Sequence, residues 1–254
     1  MGDNHSLLSV LSKFQSVDLA GLDRVKLMNR IDQKFILPER QLNDLLLEIL
    51  PYYTVLEIEG KREFAYDSLY YDTGNLDLYR DHHNGKPNRV KVRKRDYLDT
   101  NTSYFEIKRK IKGYRTEKYR VRTAMNDTIG EEESSLLQKQ DLTHLQLIPS
   151  LKIHYRRITL AGIHISERIT IDRALAFKNS TCIEQLDGLI IVEVKQDQVK
   201  HESPIIGALR KRRNRPFGIS KYALGVVLLG LNSKTNAFRH KVTKIHQLIA
   251  TYGA

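Results

Sequence analysis

Three stretches near the middle of the chain place charged side chains at every second residue: Arg89, Lys91, Arg93 and Arg95; then Glu106, Lys108 and Lys110; then Lys118, Arg120 and Arg122. Side chains alternate faces along a β-strand, so each run aims its cations at one side of a sheet. Between them, Val90, Val92, Phe105, Ile107, Ile111, Tyr119 and Val121 supply a largely apolar opposite face. Ordinary solvated faces mix signs. Residues 86–122 instead carry 14 Lys/Arg against 4 Asp/Glu, so +10 of the chain's formal +12 lies in 37 residues. That crowding is self-repulsive unless polyvalent anions neutralise it. The pattern points to an anionic ligand, with phosphates the first candidates.

With 254 residues, 41% of them hydrophobic, the chain is long enough to bury a sizeable core. It reads as an irregular lead or short helix over residues 1–23 and a single domain over 24–254. One cysteine, Cys182, excludes an intrachain disulfide, and no Cys/His cluster has zinc spacing. A reducing cytoplasm fits. The first residues lack the basic and apolar regions of a secretory signal, and the longest apolar run, Ala223 to Leu231, is nine residues with two glycines. Crossing a bilayer takes about 20. The expectation is a soluble cytoplasmic protein, with membrane attachment only through a partner protein.

Arg30 to Leu37 alternates like a strand, and Pro38 opens a helix to about Ile49 with Leu42, Leu45, Leu46 and Ile49 on one stripe. Tyr66 to Asp72 is strand-like, followed by a turn at Thr73-Gly74-Asn75 and a short helical piece with Leu76 and Tyr79. Asp99-Thr100-Asn101 and Lys112-Gly113 separate the three basic strands as hairpin turns. Residues 131–147 look helical. Further strands are expected over Leu151 to Leu160, His164 to Asp172 and Leu189 to Lys195, then helices after Pro204, from Ser220 and from about Ser233. Eight strands with one ionic face predict an α+β fold in which an antiparallel sheet closes into a barrel, cations inward and apolar faces under surrounding helices.

These residues resemble a known family: the polyphosphate polymerase (VTC, vacuolar transporter chaperone) domain of the triphosphate tunnel metalloenzyme, or CYTH-like, superfamily. The anchors, in order from Arg30 to about Leu231, are Arg30-Ile-Asp-Gln-Lys34-Phe35, Ser68-Leu-Tyr-Tyr-Asp72, Val92-Arg-Lys-Arg95-Asp-Tyr97, Phe105-Glu-Ile-Lys108, Tyr155-Arg-Arg157, Arg168-Ile-Thr-Ile-Asp172, Val192-Glu-Val-Lys195 and Ser220-Lys-Tyr222. The resemblance implies transfer of the γ-phosphoryl group of ATP, or another nucleoside triphosphate, onto a growing polyphosphate chain with a divalent cation, Mn²⁺ or Mg²⁺, so that polyphosphate or pyrophosphate is the expected partner anion. It implies that Arg93, Arg95, Lys108 and Lys118 clamp the triphosphate, that Lys34, Arg157 and Arg168 line the tunnel, that Lys221 reaches it from a helix start, and that Glu193 is the metal carboxylate. Asp32 stands where the superfamily often has Glu, and Asp96 replaces a more usual aromatic.

The residues read by themselves agree. Phosphoryl transfer asks a protein mainly for positioning and charge stabilisation. Lys91, Arg120 and Lys195 lie on the same ionic faces and complete the expected substrate-binding set. Glu106 is a second candidate for the metal, and Asp172 a third. His154 and Arg156 share one face and Tyr155 and Arg157 the other; the motif alone selects Arg157 as inward. His82-His83 reads as a surface turn, Arg210 to Arg215 as an exposed charge run, and Tyr70 and Tyr104 as wall packing. Two other functions fit the same pattern: a metal-dependent triphosphatase, or a polyanion- or RNA-binding barrel without turnover. Few aromatics interleave the basic strands and Trp is absent, so nucleic acid is not the expected partner.

Overall fold

The computed structural model describes residues 6–24, 31–113, 115–197 and 203–252. Helix α1 (Leu7–Ser12), the two-residue strand β1 (Ser16–Val17) and α2 (Leu19–Arg24) precede strand β2 (Ile31–Pro38). Arg30, expected to open that strand, lies outside the described residues. Then come α3 (Leu42–Ile49), β3 (Tyr53–Leu56), β4 (Phe64–Asp72), α4 (Asp77–His83), β5 (Arg89–Tyr97), β6 (Thr102–Ile111), β7 (Arg115–Thr123) and α5 (Glu131–Lys139). The chain continues through β8 (Ile148–Gly162), β9 (Glu167–Lys178), β10 (Ile183–Leu186), β11 (Leu189–Gln196), α6 (Pro204–Lys211), α7 (Lys221–Leu228) and α8 (Asn236–Tyr252). No described helix is long and apolar enough to cross a membrane.

The main sheet is antiparallel, in the order β2-β11-β9-β8-β4-β5-β6-β7. Period-2 alternation and turn chemistry make the basic meander: Asn101 takes a left-handed conformation after β5, and Lys112 and Gly113 do so after β6 (φ +47°, +51° and +78°). Register sets Lys91 beside Lys108 and Lys108 beside Lys118, so the cations of three strands share one face. On the other face Val92, Phe105 and Ile107 are wholly buried with Leu137 of α5. That face is not purely apolar. Lys94 is buried there, 2.7 Å from Glu133 of α5, with Asn126 and the Thr128 carbonyl as further partners.

Hydrogen bonds do not close the expected barrel: β2 and β7 are the two ends of the strand order. The Lys34 carbonyl on β2 instead accepts from Phe217 N at 2.6 Å, so the segment between α6 and α7 takes up that edge. The sheet is nevertheless rolled. Bulges at Tyr70/Tyr71 and His154/Arg156 bend the long central strand β8 against its neighbours, and Lys91 on β5 and Lys108 on β6 feel the charge of Lys34 on β2, at the far end of the strand order.

Three apolar clusters set the concavity. The convex side of β2, β11, β9 and β8 packs under α1, α3 and α6, where Leu42, Leu45, Leu46 and Ile49 are buried as their spacing predicts. The second cluster is the one under α5. The third lies on the concave side, where α7 and α8 fill one part of the hollow against Leu151, Ile153, Phe177 and Ile191. There the inner face is apolar, unlike the uniformly ionic lining expected. Gly225 permits this approach: a Cβ would stand 2.7 Å from Phe177 Cδ1. The helix expected over 131–147 stops at Lys139, and Asp141 takes φ +52°. Strands β3 and β10, four residues each, are too short for a period to show.

Candidate functional site

The unfilled part of the hollow is a cavity of about 1110 Å³. Thirteen Lys/Arg line it against three Asp/Glu, Asp32, Glu106 and Glu193. Of the thirteen site residues expected from sequence, twelve are brought to this lining: Lys34, Lys91, Arg93, Arg95, Glu106, Lys108, Lys118, Arg120, Arg157, Glu193, Lys195 and Lys221. Arg168 is not. It lies beside Lys195 in the sheet, but its guanidinium donates to the Leu22 carbonyl of α2.

Local folding rules place each group. Asp72 accepts from Thr73 N, Leu78 N and Tyr79 N, which anchors the start of α4, and from the Tyr222 hydroxyl of α7 at 2.5 Å. One buried carboxylate thus ties both helices to β4. Ser220 caps α7 by accepting from Ala223 N, and the same hydroxyl accepts from Lys91 Nζ at 2.8 Å. Lys221 therefore enters the cavity at a fixed helix start.

The charged groups form distinct sets. Arg157 clasps Asp172 with both its Nε (2.6 Å) and Nη2 (2.8 Å), and Lys221 bonds the second oxygen. Burial favours protonation of Asp172, but Arg157 and Lys221 outweigh it and hold the carboxyl below its usual range. Both oxygens are thereby engaged. Arg93 reaches Glu106 at 2.5 Å and donates to the Tyr70 hydroxyl at 3.0 Å, so Tyr70 supports the Arg93 side chain as well as packing in the wall. Against the effect of burial, Arg93 and Arg95 hold Glu106 down to about 2. Glu193 lies 3.2 Å from Lys195 and 3.7 Å from Lys34; these cations overcome burial and keep it well below the usual carboxylate range.

Lys91 stands apart. Burial first, then the charges of Lys108, Lys34, Arg89 and Arg93, push it down to about 7. Lys195 is pushed down to about 8, mainly by burial. Arg157, not Arg156, faces the cavity; Arg156 pairs outside with Glu63 at 2.6 Å.

Among the described residues no three His, Cys, Asp or Glu side chains gather to hold a metal. That donor set still suits a hard cation bound chiefly through phosphate oxygens and waters, which needs only one or two carboxylates. Glu193 fits best, because its cations stand at 3.2 and 3.7 Å, while Arg93 binds Glu106 at 2.5 Å and Arg157 and Lys221 bind both oxygens of Asp172.

Several lining residues were outside the sequence-based set. Tyr155 stacks on Tyr66 (centroids 5.3 Å) beneath the guanidinium of Arg157, and its place follows from alternation with that arginine. Arg89 and Lys110 extend the runs already noted. His82 and His83 end α4 and line the cavity, where a surface turn was expected. The reason is α8, whose Phe238 covers them from far along the chain.

A family model for the VTC domain matches residues 29–229. No curated protein matches. Among solved structures, a Hippeastrum protein described as a candidate adenylyl cyclase with a dominant triphosphatase activity is 14% identical, covering 77% of this chain and 94% of that chain at a TM-score of 0.47. A candidate adenylate cyclase from Bacillus halodurans is 11% identical, covering 76% and 96% at a TM-score of 0.48. A conserved hypothetical protein from Pyrococcus furiosus is 12% identical, covering 76% and 99% at a TM-score of 0.42.

Proposed function

The chain belongs to the VTC domain family, and we propose that it is a polyphosphate polymerase that transfers the γ-phosphoryl group of a nucleoside triphosphate to the end of a polyphosphate chain. The observation that carries this is the charge of the lining, thirteen cations against three acids in about 1110 Å³. A nucleoside triphosphate brings about four negative charges. The remaining excess suits a second polyanion in the same space, which an acceptor chain supplies and a water molecule does not.

In this reading Arg93 and Arg95 grip the γ-phosphoryl group and Lys108 and Lys118 hold the neighbouring phosphates. Arg suits fixed, two-pronged contacts and Lys a movable point charge. Arg93 is pre-oriented by Glu106 and Tyr70, so its aim costs little reorganisation at the moment of transfer. Lys221 and Arg157, aligned by Asp172, face the same space with Lys34 and Lys195, where the acceptor end lies. A terminal phosphate oxygen of the acceptor bonds the γ-phosphorus as the bond from that phosphorus to the bridging oxygen breaks, and the nucleoside diphosphate leaves with the electron pair. The acceptor is already anionic, so no strong general base is required. A divalent cation, Mn²⁺ or Mg²⁺, would be held by Glu193, with Glu106 the second candidate, and would supply charge neutralisation on the phosphate oxygens.

The test is product analysis after incubation with ATP and Mn²⁺ or Mg²⁺. Long polymer with matching nucleoside diphosphate is expected. Free phosphate in equal amount to the diphosphate would make the protein a triphosphatase, and salt-sensitive binding without turnover would make it a polyanion-binding module.

A further inference from the structure

We propose that the cavity rim bounded by α4, the segment 216–220 and the start of α8 is a subsite for the heteroaromatic base of the nucleoside triphosphate, with the His82 ring as its stacking surface. This rests on the reading that a triphosphate occupies the cation bed, and it adds which end of the cavity takes the nucleoside.

The lining changes character at this rim. Along β5 to β7 it is mostly Lys and Arg; here it includes Phe217, Ile219, Phe238, His82 and His83. Phosphate has no flat apolar surface to cover such groups, but a nucleobase does. The His82 ring packs on Phe238 with centroids 5.6 Å apart and planes 28° from parallel, and His83 meets Phe238 edge-on at 5.6 Å. Phe238 is buried and backs the His82 ring, and both residues line the cavity at this rim. Nδ1 of His82 is buried without a hydrogen-bond partner, and the contact that holds this side of the ring is its packing on Phe238.

The charged neighbours favour the same use. Burial first, then Lys91 and Arg89 of β5, Lys241 of α8 and Lys110 of β6, hold His82 down to about 3, so the ring is neutral at physiological pH. A neutral ring beside a cation bed stacks on a base without competing for phosphate. The rim also lies towards the Arg89 end of β5: the charges of Lys91 and Arg89 act on His82, and Arg93 is further along the same strand.

The experiment titrates ATP and inorganic tripolyphosphate separately, by calorimetry without divalent cation, into the wild type, His82→Ala and His82→Phe. The alanine variant should weaken ATP about tenfold, within the range for one base–aromatic stack, and leave tripolyphosphate affinity in place, while phenylalanine restores ATP. Equal weakening of both ligands, or no weakening of ATP, overturns the subsite. Should the alanine variant fail to fold, ring resonances of His82 in the wild type decide: they should shift with ATP and not with tripolyphosphate, and equal shifts overturn the proposal. Failure of the wild type to bind either ligand would instead overturn the triphosphate reading beneath it.

Discussion

On one wall of the cavity Arg157 and Lys221 share the two oxygens of Asp172; on the facing strands Lys91 bonds the hydroxyl of Ser220 and is surrounded by the charges of Lys108, Lys34, Arg89 and Arg93. Both are cations turned to the same space. The first pair is held in place by the protein's own carboxylate, and its geometry exists before any ligand arrives. In the second cluster Lys91 bonds a hydroxyl but, among the described residues, no carboxylate, and the like charges around it outweigh what Glu106 and Glu193 supply, so an incoming anion relieves it. Groups of the first kind give a binding site its shape, and groups of the second kind give it its appetite for anions.

Removing the counter-charge from the satisfied wall should have the largest effect. In Asp172→Asn two partly buried cations lose a carboxylate whose side chain is 1% exposed, and breaking a buried pair typically costs about 3–5 kcal/mol. Urea denaturation should show it as a lowered midpoint with unchanged slope. A loss of only a few tenths of a kcal/mol, as for exposed ion pairs, would erase the distinction between the two walls.

Next come the clamp residues. Arg93→Ala and Arg95→Ala should each lower triphosphate affinity or transfer rate by about tenfold to a hundredfold, since a charge-assisted contact is worth roughly 1.5–3 kcal/mol. The fold should hold, because Glu106 keeps the other arginine and Arg120 nearby. Unaltered kinetics in the folded double variant would remove both from the clamp.

Lys91→Met should separate the two walls by sign. Relieving a lysine that burial and four neighbouring cations disfavour should leave stability unchanged or raise it by up to about 1 kcal/mol, while ATP affinity falls several-fold. Thermal unfolding and calorimetry on the same preparation give both numbers. A variant that is less stable and binds ATP as before would show that Lys91 belongs with the satisfied groups.

The two walls were not equally legible. The strands β5 to β7 show a strict period of two with turn residues between them, so their shared cationic face could be read directly. Asp172 could not be assigned to Arg157 and Lys221, because that contact depends on a register set by the bulge at His154/Arg156 and on a helix 49 positions further on. The concave packing of α7 was hidden for a similar reason: Ala223 to Leu231 reads as any buried helix, and only the contact of Gly225 with Phe177 and Leu151 shows which side it fills. His82 looked exposed because its cover, Phe238, comes from α8. The barrel expectation followed from strand number and ionic faces, which count strands but do not say that Phe217 meets the free edge of β2.

The smallest effect is a pH dependence, and its sign follows from the strained cluster. In the free protein Lys91 lies at about 7, below the ordinary lysine value of 10.5. Between these values the unfolded chain binds more protons than the folded one, so this group makes the free protein more stable as pH rises from 7 towards 10. Ligand binding goes the other way. A triphosphate beside Lys91 favours the ammonium and draws a proton onto it, so affinity should fall as pH rises above 7, by at most about one log unit per pH unit for one proton. Lys195, at about 8, adds a smaller share because Glu193 already partners it. Calorimetric titration of ATP at pH 8, in two buffers of different ionisation enthalpy, should reveal proton uptake that is largely lost in Lys91→Met. Uptake of the same size in the variant would move the titrating group away from Lys91, with Lys195 and Lys108 the next to be replaced.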